Sequence, residues 1–65
     1  MKPDWKDAPE WAKYLAMDKN GAWWWYETEP HNTSNNWYPI GNVHYEMYTP
    51  SESEEWKKSL EKRPE

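Results

Sequence analysis

The sequence predicts an α+β fold: a small antiparallel sheet of three or four strands with one C-terminal helix, packed by Trp56 and Leu60. Three observations lead there. Short segments of alternating polarity, Ala12 to Asp18 and Val43 to Tyr48, are bounded by turn-forming residues. Asp18-Lys19-Asn20-Gly21 is a strong hairpin signal. Ser51 and Glu54 have the capping-box spacing of a helix start, and Trp56 and Leu60, four apart, share one helical face.

A chain of 65 residues holds one domain, divided here into an extended N-terminal arm over 1–11, a sheet over 12–48 and a helix over 51–63. Ordering it costs on the order of 100 kcal/mol at roughly 1.5 kcal/mol per residue, so every large apolar side chain counts. Seven Trp and five Tyr stand against Leu15, Ile40, Val43 and Leu60 as the branched aliphatics, with no Phe, so the expected interior is aromatic. No cysteine is present to supply a disulfide or a thiolate zinc site.

Two prolines keep the arm from forming a long helix or a central strand, and Asp7-Ala8-Pro9-Glu10 suits a single turn capped by Asp7. Trp5 and Trp11 are its expected anchors. In the first hairpin, Asp18 opening a type I turn and Gly21 closing it give a bulged form that pairs Asp18 with Ala22. The competing two-residue Asn20-Gly21 turn pairs Lys19 with Ala22. The bulged register, favoured here, groups Leu15, Met17, Trp23 and Trp25 on a first face and Tyr14, Ala16, Trp24 and Tyr26 on a second.

The polar stretch Thr28 to Asn36 reads as a mobile loop. Trp37 to Ile40 and Val43 to Tyr48 flank Gly41-Asn42, a candidate hairpin turn, and Pro39 confines the first of these segments to an edge. Val43, Tyr45 and Met47 alternate with His44, Glu46 and Tyr48 as in a strand buried on one face, placed antiparallel beside Trp23 to Glu27. Beyond Thr49-Pro50, Glu52, Glu54 and Glu55 lie at the positive end of the expected helix dipole, with Lys57, Lys58, Lys62 and Arg63 towards the other end.

One helix covers one face of a sheet, here the first, and leaves an aromatic second face. The arm is one cover for it and a partner molecule another. Trp23, Trp25 and Trp56 are assigned to the core, and Trp24, Tyr26, Tyr14, Trp37 and Tyr38 are the candidate partner-binding residues, since exposed Trp and Tyr on a small domain mark interfaces.

Catalysis finds little material. His31 and His44 are the only imidazoles, one in a polar loop and one facing solvent, and no metal-ligand spacing or phosphate-binding glycine loop occurs. No catalytic residue, cofactor or metal is assigned, and the expectation is a non-enzyme. A net charge of -4 disfavours nucleic acid and anionic membrane. No apolar run approaches the roughly 20 residues of a membrane span, and no signal-peptide core follows Met1, so the expected setting is cytoplasmic.

Trp5 to Ala12 (Trp-x-x-Ala-Pro-x-Trp-Ala), the hairpin and aromatic run of Asp18 to Pro30, and Trp56 to Pro64 (Trp-x-x-Ser-Leu-x-x-Arg-Pro) resemble a group of small uncharacterised proteins encoded by tailed bacteriophages. The resemblance implies a phage accessory protein in a bacterial cytoplasm and carries no catalytic residue. The leading expectation is a non-catalytic protein-protein interaction module acting on a host or phage protein. The alternatives are a homodimer formed through the second aromatic face and a binder of single-stranded nucleic acid or glycan by stacking.

Overall fold

The computed structural model describes residues 2–50 and 54–64. The first hairpin adopts the bulged register: β1 (Tyr14–Met17) pairs with β2 (Ala22–Tyr26), Leu15 opposite Trp25 and Met17 opposite Trp23. Asp18 N donates to Ala22 O at 2.8 Å, Gly21 N donates to Asp18 O at 2.9 Å, and Gly21 takes the left-handed φ of 99° that the turn demands.

Beyond this hairpin come β3 (His31–Asn32), β4 (Trp37–Tyr38), β5 (Val43–Tyr48) and β6 (Glu61–Lys62). They make a four-stranded antiparallel sheet in the order β5-β2-β1-β6 and a separate two-stranded β3-β4 ribbon. The architecture is therefore all-β. The expected α+β fold with a C-terminal helix over 51–63 does not form: among the described residues the helical segments are two 3-10 turns, Trp5–Asp7 and Glu54–Lys58. The capping-box residues Ser51, Glu52 and Ser53 lie outside the described residues.

Ser59 shows why the helix stops. Its amide donates to Trp56 O at 3.2 Å, the tight i to i+3 bond, and its hydroxyl reaches Trp56 O at 2.7 Å and Met17 O at 3.2 Å while accepting from Met17 N at 2.8 Å. The side chain thus ends one segment and fastens the next to β1. Leu15 then faces Glu61, Tyr14 faces Lys62, and Arg63 N donates to Lys13 O at 2.8 Å. A short helix with two apolar anchors is marginal in water, whereas an extended segment satisfies the backbone of an otherwise bare β1 edge. Trp56 is still fully buried and Leu60 partly so.

Both faces of the β1–β2 hairpin are covered, though not by the elements expected. On the first face Leu15 and Trp25 are sealed, with Met17 and Trp23 nearly so, and it is the arm that lies there: the Trp5 ring meets Trp25 at 4.8 Å, tilted by 60°. Asp4 rather than Asp7 caps the arm's turn, accepting from Lys6 N at 3.0 Å. The C-terminal strand pins it. Glu61 receives both the Trp5 indole N–H and the Lys2 ammonium, while Arg63 lies 5.7 Å from the Trp5 ring centroid and donates to Pro9 O at 3.2 Å and Ala12 O at 2.7 Å.

On the second face Ala16 and Tyr26 are buried and Trp37 closes over them, its indole N–H donating to Met17 O at 3.1 Å and Trp56 O at 3.3 Å. The Trp37 and Trp56 rings meet edge to face at 6.4 Å. Trp37 is placed by the β3–β4 ribbon, which occupies most of the expected mobile loop. Thr33 organises its turn: its amide donates to Asn36 O at 2.8 Å, and its hydroxyl oxygen accepts from Asn36 N at 3.0 Å. Gly41-Asn42 consequently turns no hairpin between β4 and β5, since β4 is paired with β3.

Three substitutions test this arrangement. Ser59→Ala leaves Met17 N–H without its acceptor and should lower urea-unfolding stability by about 1–3 kcal/mol; in an α-helix the same change would be stabilising by roughly 0.5 kcal/mol, so the sign separates the two structures. A Cβ on Gly21 would stand 2.0 Å from the Thr49 carbonyl oxygen, against 3.4 Å for the nearest atom at Gly41. Gly21→Ala should therefore cost at least about 2 kcal/mol and Gly41→Ala about 1 kcal/mol, read from denaturation midpoints.

Candidate functional site

The five aromatic residues singled out from the sequence do not share one open platform. Tyr26 is 2% exposed and Trp37 6%, both in the core; Trp24 and Tyr14 are half-buried; Tyr38, at 59%, faces solvent. Trp24, Tyr26 and Trp37 instead gather round a cavity of about 180 Å³ completed by Asp18, Asn36, Pro39 and Val43. Tyr14 and Tyr38 are not among its lining residues.

Asp18 gives this cavity its polarity. One carboxylate oxygen accepts Trp37 N–H at 3.0 Å, which ties the β3–β4 ribbon to the first hairpin. Burial pushes the Asp18 pKa above its ordinary 3.8, and the Trp37 hydrogen bond and the nearby Trp24 indole pull it partly back. The Trp24 indole N–H nonetheless falls short of hydrogen-bonding geometry, and among the described residues neither it nor the buried indole N–H of Trp23 or Trp56 has a hydrogen-bond partner. Burial, reinforced by the Asp18 charge, raises the Tyr26 hydroxyl well above the usual tyrosine range, so it stays protonated.

A second feature lies along β5. Sequence alternation assigned Tyr45 to the buried side, but Glu46 is an extra residue: Trp24 pairs with Tyr45 and Trp23 with Met47, which leaves Glu46 as a bulge. Glu46 turns inward and accepts the Trp25 indole N–H at 2.8 Å, while Tyr45 and Tyr48 are 46% and 54% exposed. Tyr45 packs edge-on against Trp24 at 5.4 Å. Glu27 N donates to Asn42 O and Thr49 N to Gly21 O, so the ladder's alternation turns the backbone groups of Val43, Tyr45 and Tyr48 away from β2. They meet no backbone partner among the described residues.

The two sheet edges differ. β6 is two residues long, carries Glu61 and Lys62, and is flanked by the pinned arm and Pro64, all features that discourage pairing. β5 runs for six residues without proline or lysine. Nothing in the sequence marks which strand ends at an open edge, and the bulge that exposes Tyr45 depends on tertiary pairing.

His31 and His44 are both exposed, and among the described residues no three His, Cys, Asp or Glu side chains gather where they could hold a metal ion. Among those residues no helix is long and apolar enough to cross a membrane. No protein-family model, curated protein or solved structure matches this chain.

The two perturbed carboxylates should act oppositely in acid. The hydrogen bond from Lys2 holds the Glu61 pKa below its ordinary 4.5, with Trp5 adding to it against some desolvation. Glu61 therefore contributes stability above pH 4.5 that is lost as pH falls through its lower folded value. Asp18, raised above 3.8, contributes the reverse: stability rises as pH falls through its folded value towards 3.8. Urea midpoints measured across this range should fall less steeply in acid for Glu61→Gln than for wild type, and more steeply for Asp18→Asn.

Proposed function

We propose that the chain is a non-catalytic protein-protein interaction module that takes an extended segment of its partner onto the open edge of β5. The single observation carrying this reading is the asymmetry of the sheet, one edge short, charged and strapped, the other long and bare. Strand addition draws affinity from main-chain hydrogen bonds and specificity from alternate side chains. Val43, Tyr45 and Tyr48 direct their backbone groups outwards, and the exposed Tyr45 and Tyr48 rings flank the edge as adaptable contacts. The resemblance of the terminal motifs to small phage proteins supports a setting in an infected bacterial cell, as an accessory factor acting on a host or phage protein.

The edge can also receive a second copy of itself, since an antiparallel pair of identical strands is self-complementary. This replaces the second aromatic face as the natural seat of a homodimer, because Trp37 already covers the buried part of that face.

The outward amide of Tyr48 offers a test, because proline there removes an edge donor, together with the Tyr48 ring, without removing a β2 bond. Wild type and Tyr48→Pro would be compared as baits in bacterial lysate, and any recovered protein purified and re-bound. The expected result is at least about tenfold weaker binding by Tyr48→Pro, about 1.4 kcal/mol, with slowed hydrogen exchange at Val43 and Tyr45 in the wild-type complex. Equal binding by both forms would remove β5 as the docking edge. Light scattering over a dilution series separates self-pairing from a foreign partner.

A further inference from the structure

The cavity beneath the β3–β4 ribbon has no role in strand addition, and its lining has its own chemistry. We propose that it receives an organic quaternary ammonium head group, walled by Trp24, Tyr26 and Trp37 and faced by the Asp18 carboxylate.

Size, charge and hydration each favour that class. A volume of about 180 Å³ accommodates a small head group. Asp18 commits one oxygen to Trp37 N–H and has no ion-pair partner among the described residues, so it presents negative charge to the cavity in a chain whose net charge is -4. Aromatic rings attract cations through their quadrupoles, and quaternary ammonium groups are the best-suited ligands of such walls. A metal ion would need several oxygen or nitrogen ligands, and here one carboxylate stands among Pro39, Val43 and indole rings. The Asp18 carboxylate, the Asn36 amide and the Tyr26 hydroxyl are the side-chain acceptors in the lining, and a primary ammonium would have to exchange its strong hydration for three N–H bonds to them. A quaternary nitrogen has no donor to satisfy and is weakly hydrated, so it loses least on entering.

Occupancy of this cavity does not depend on whether β5 takes a partner strand. The test titrates the whole chain with choline, with its neutral carbon isostere 3,3-dimethyl-1-butanol, and with methylammonium, in buffers of matched ionic strength. Indole N–H resonances of Trp24 and Trp37 are the readout. Choline should shift both saturably, with a dissociation constant on the order of 1 mM, and bind at least about tenfold more tightly than either comparison compound. Asp18→Asn should weaken choline by about tenfold and leave the isostere unchanged. Val43→Phe, which fills the cavity from the β5 side, should abolish the shifts while indole dispersion reports a retained fold; this variant decides the matter should Asp18→Asn fail to fold. The proposal is overturned by equal binding of choline and isostere, by tighter binding of methylammonium, by undiminished shifts in Val43→Phe, or by the absence of saturation with choline.

Discussion

Everything in this fold answers one constraint: the β1–β2 hairpin carries large apolar side chains on both faces, and a short chain must hide both. Antiparallel sheets usually solve half of this problem by leaving one face to water. Here Leu15 and Trp25 require cover on one side, Ala16 and Tyr26 on the other. Neither is covered by an amphipathic helix. Single indole rings do the work instead, Trp5 on Trp25 and Trp37 against Trp56, each delivered by a short irregular segment.

That solution dictates the rest of the architecture. An isolated ring covers a face only if its backbone is held, so each delivering segment carries its own fastening. The arm is held by Glu61 and Arg63 from the C-terminal strand. The β3–β4 ribbon is held by Thr33 within its turn and by Asp18 across to the hairpin. The segment carrying Trp56 is held by Ser59 on Met17. Chain ends and middle are thereby locked to the same pair of strands, which compensates for the small number of aliphatic contacts.

An indole interior also imports polar atoms. Trp5, Trp25 and Trp37 find acceptors in Glu61, Glu46 and main-chain carbonyls, which explains why two carboxylates of an acidic chain turn towards the core. Trp23, Trp24 and Trp56 find none among the described residues. The Trp24 donor and the half-buried Asp18 both line the cavity on the second face. The acidic cavity and the open β5 edge adjoin there, through Val43 and through the Trp24–Tyr45 contact. The two proposed binding features thus share the β5 side of the sheet.

Local chemistry was legible in the sequence wherever a few neighbouring residues decide the outcome. The Asp18 to Gly21 turn, the bulged register and the division of side chains between two faces follow from turn residues and period-two alternation, and the pairing of β5 with β2 from the preference of strands near in chain order to pair. So does the aromatic interior, from composition. The candidate site was legible in part: Trp24, Tyr26 and Trp37 do converge, but around a cavity, and the exposure of Tyr45 was hidden by a bulge, while alternation already placed Tyr48 on the outward side. What only the tertiary structure decided is where each face finds its cover. Capping spacing, dipole charges and the Trp56–Leu60 stripe are local helix preferences worth fractions of a kcal/mol apiece. They yield to Ser59 and β6, because satisfying the exposed backbone of β1 and sealing Trp56 against Trp37 are gains no local pattern can register.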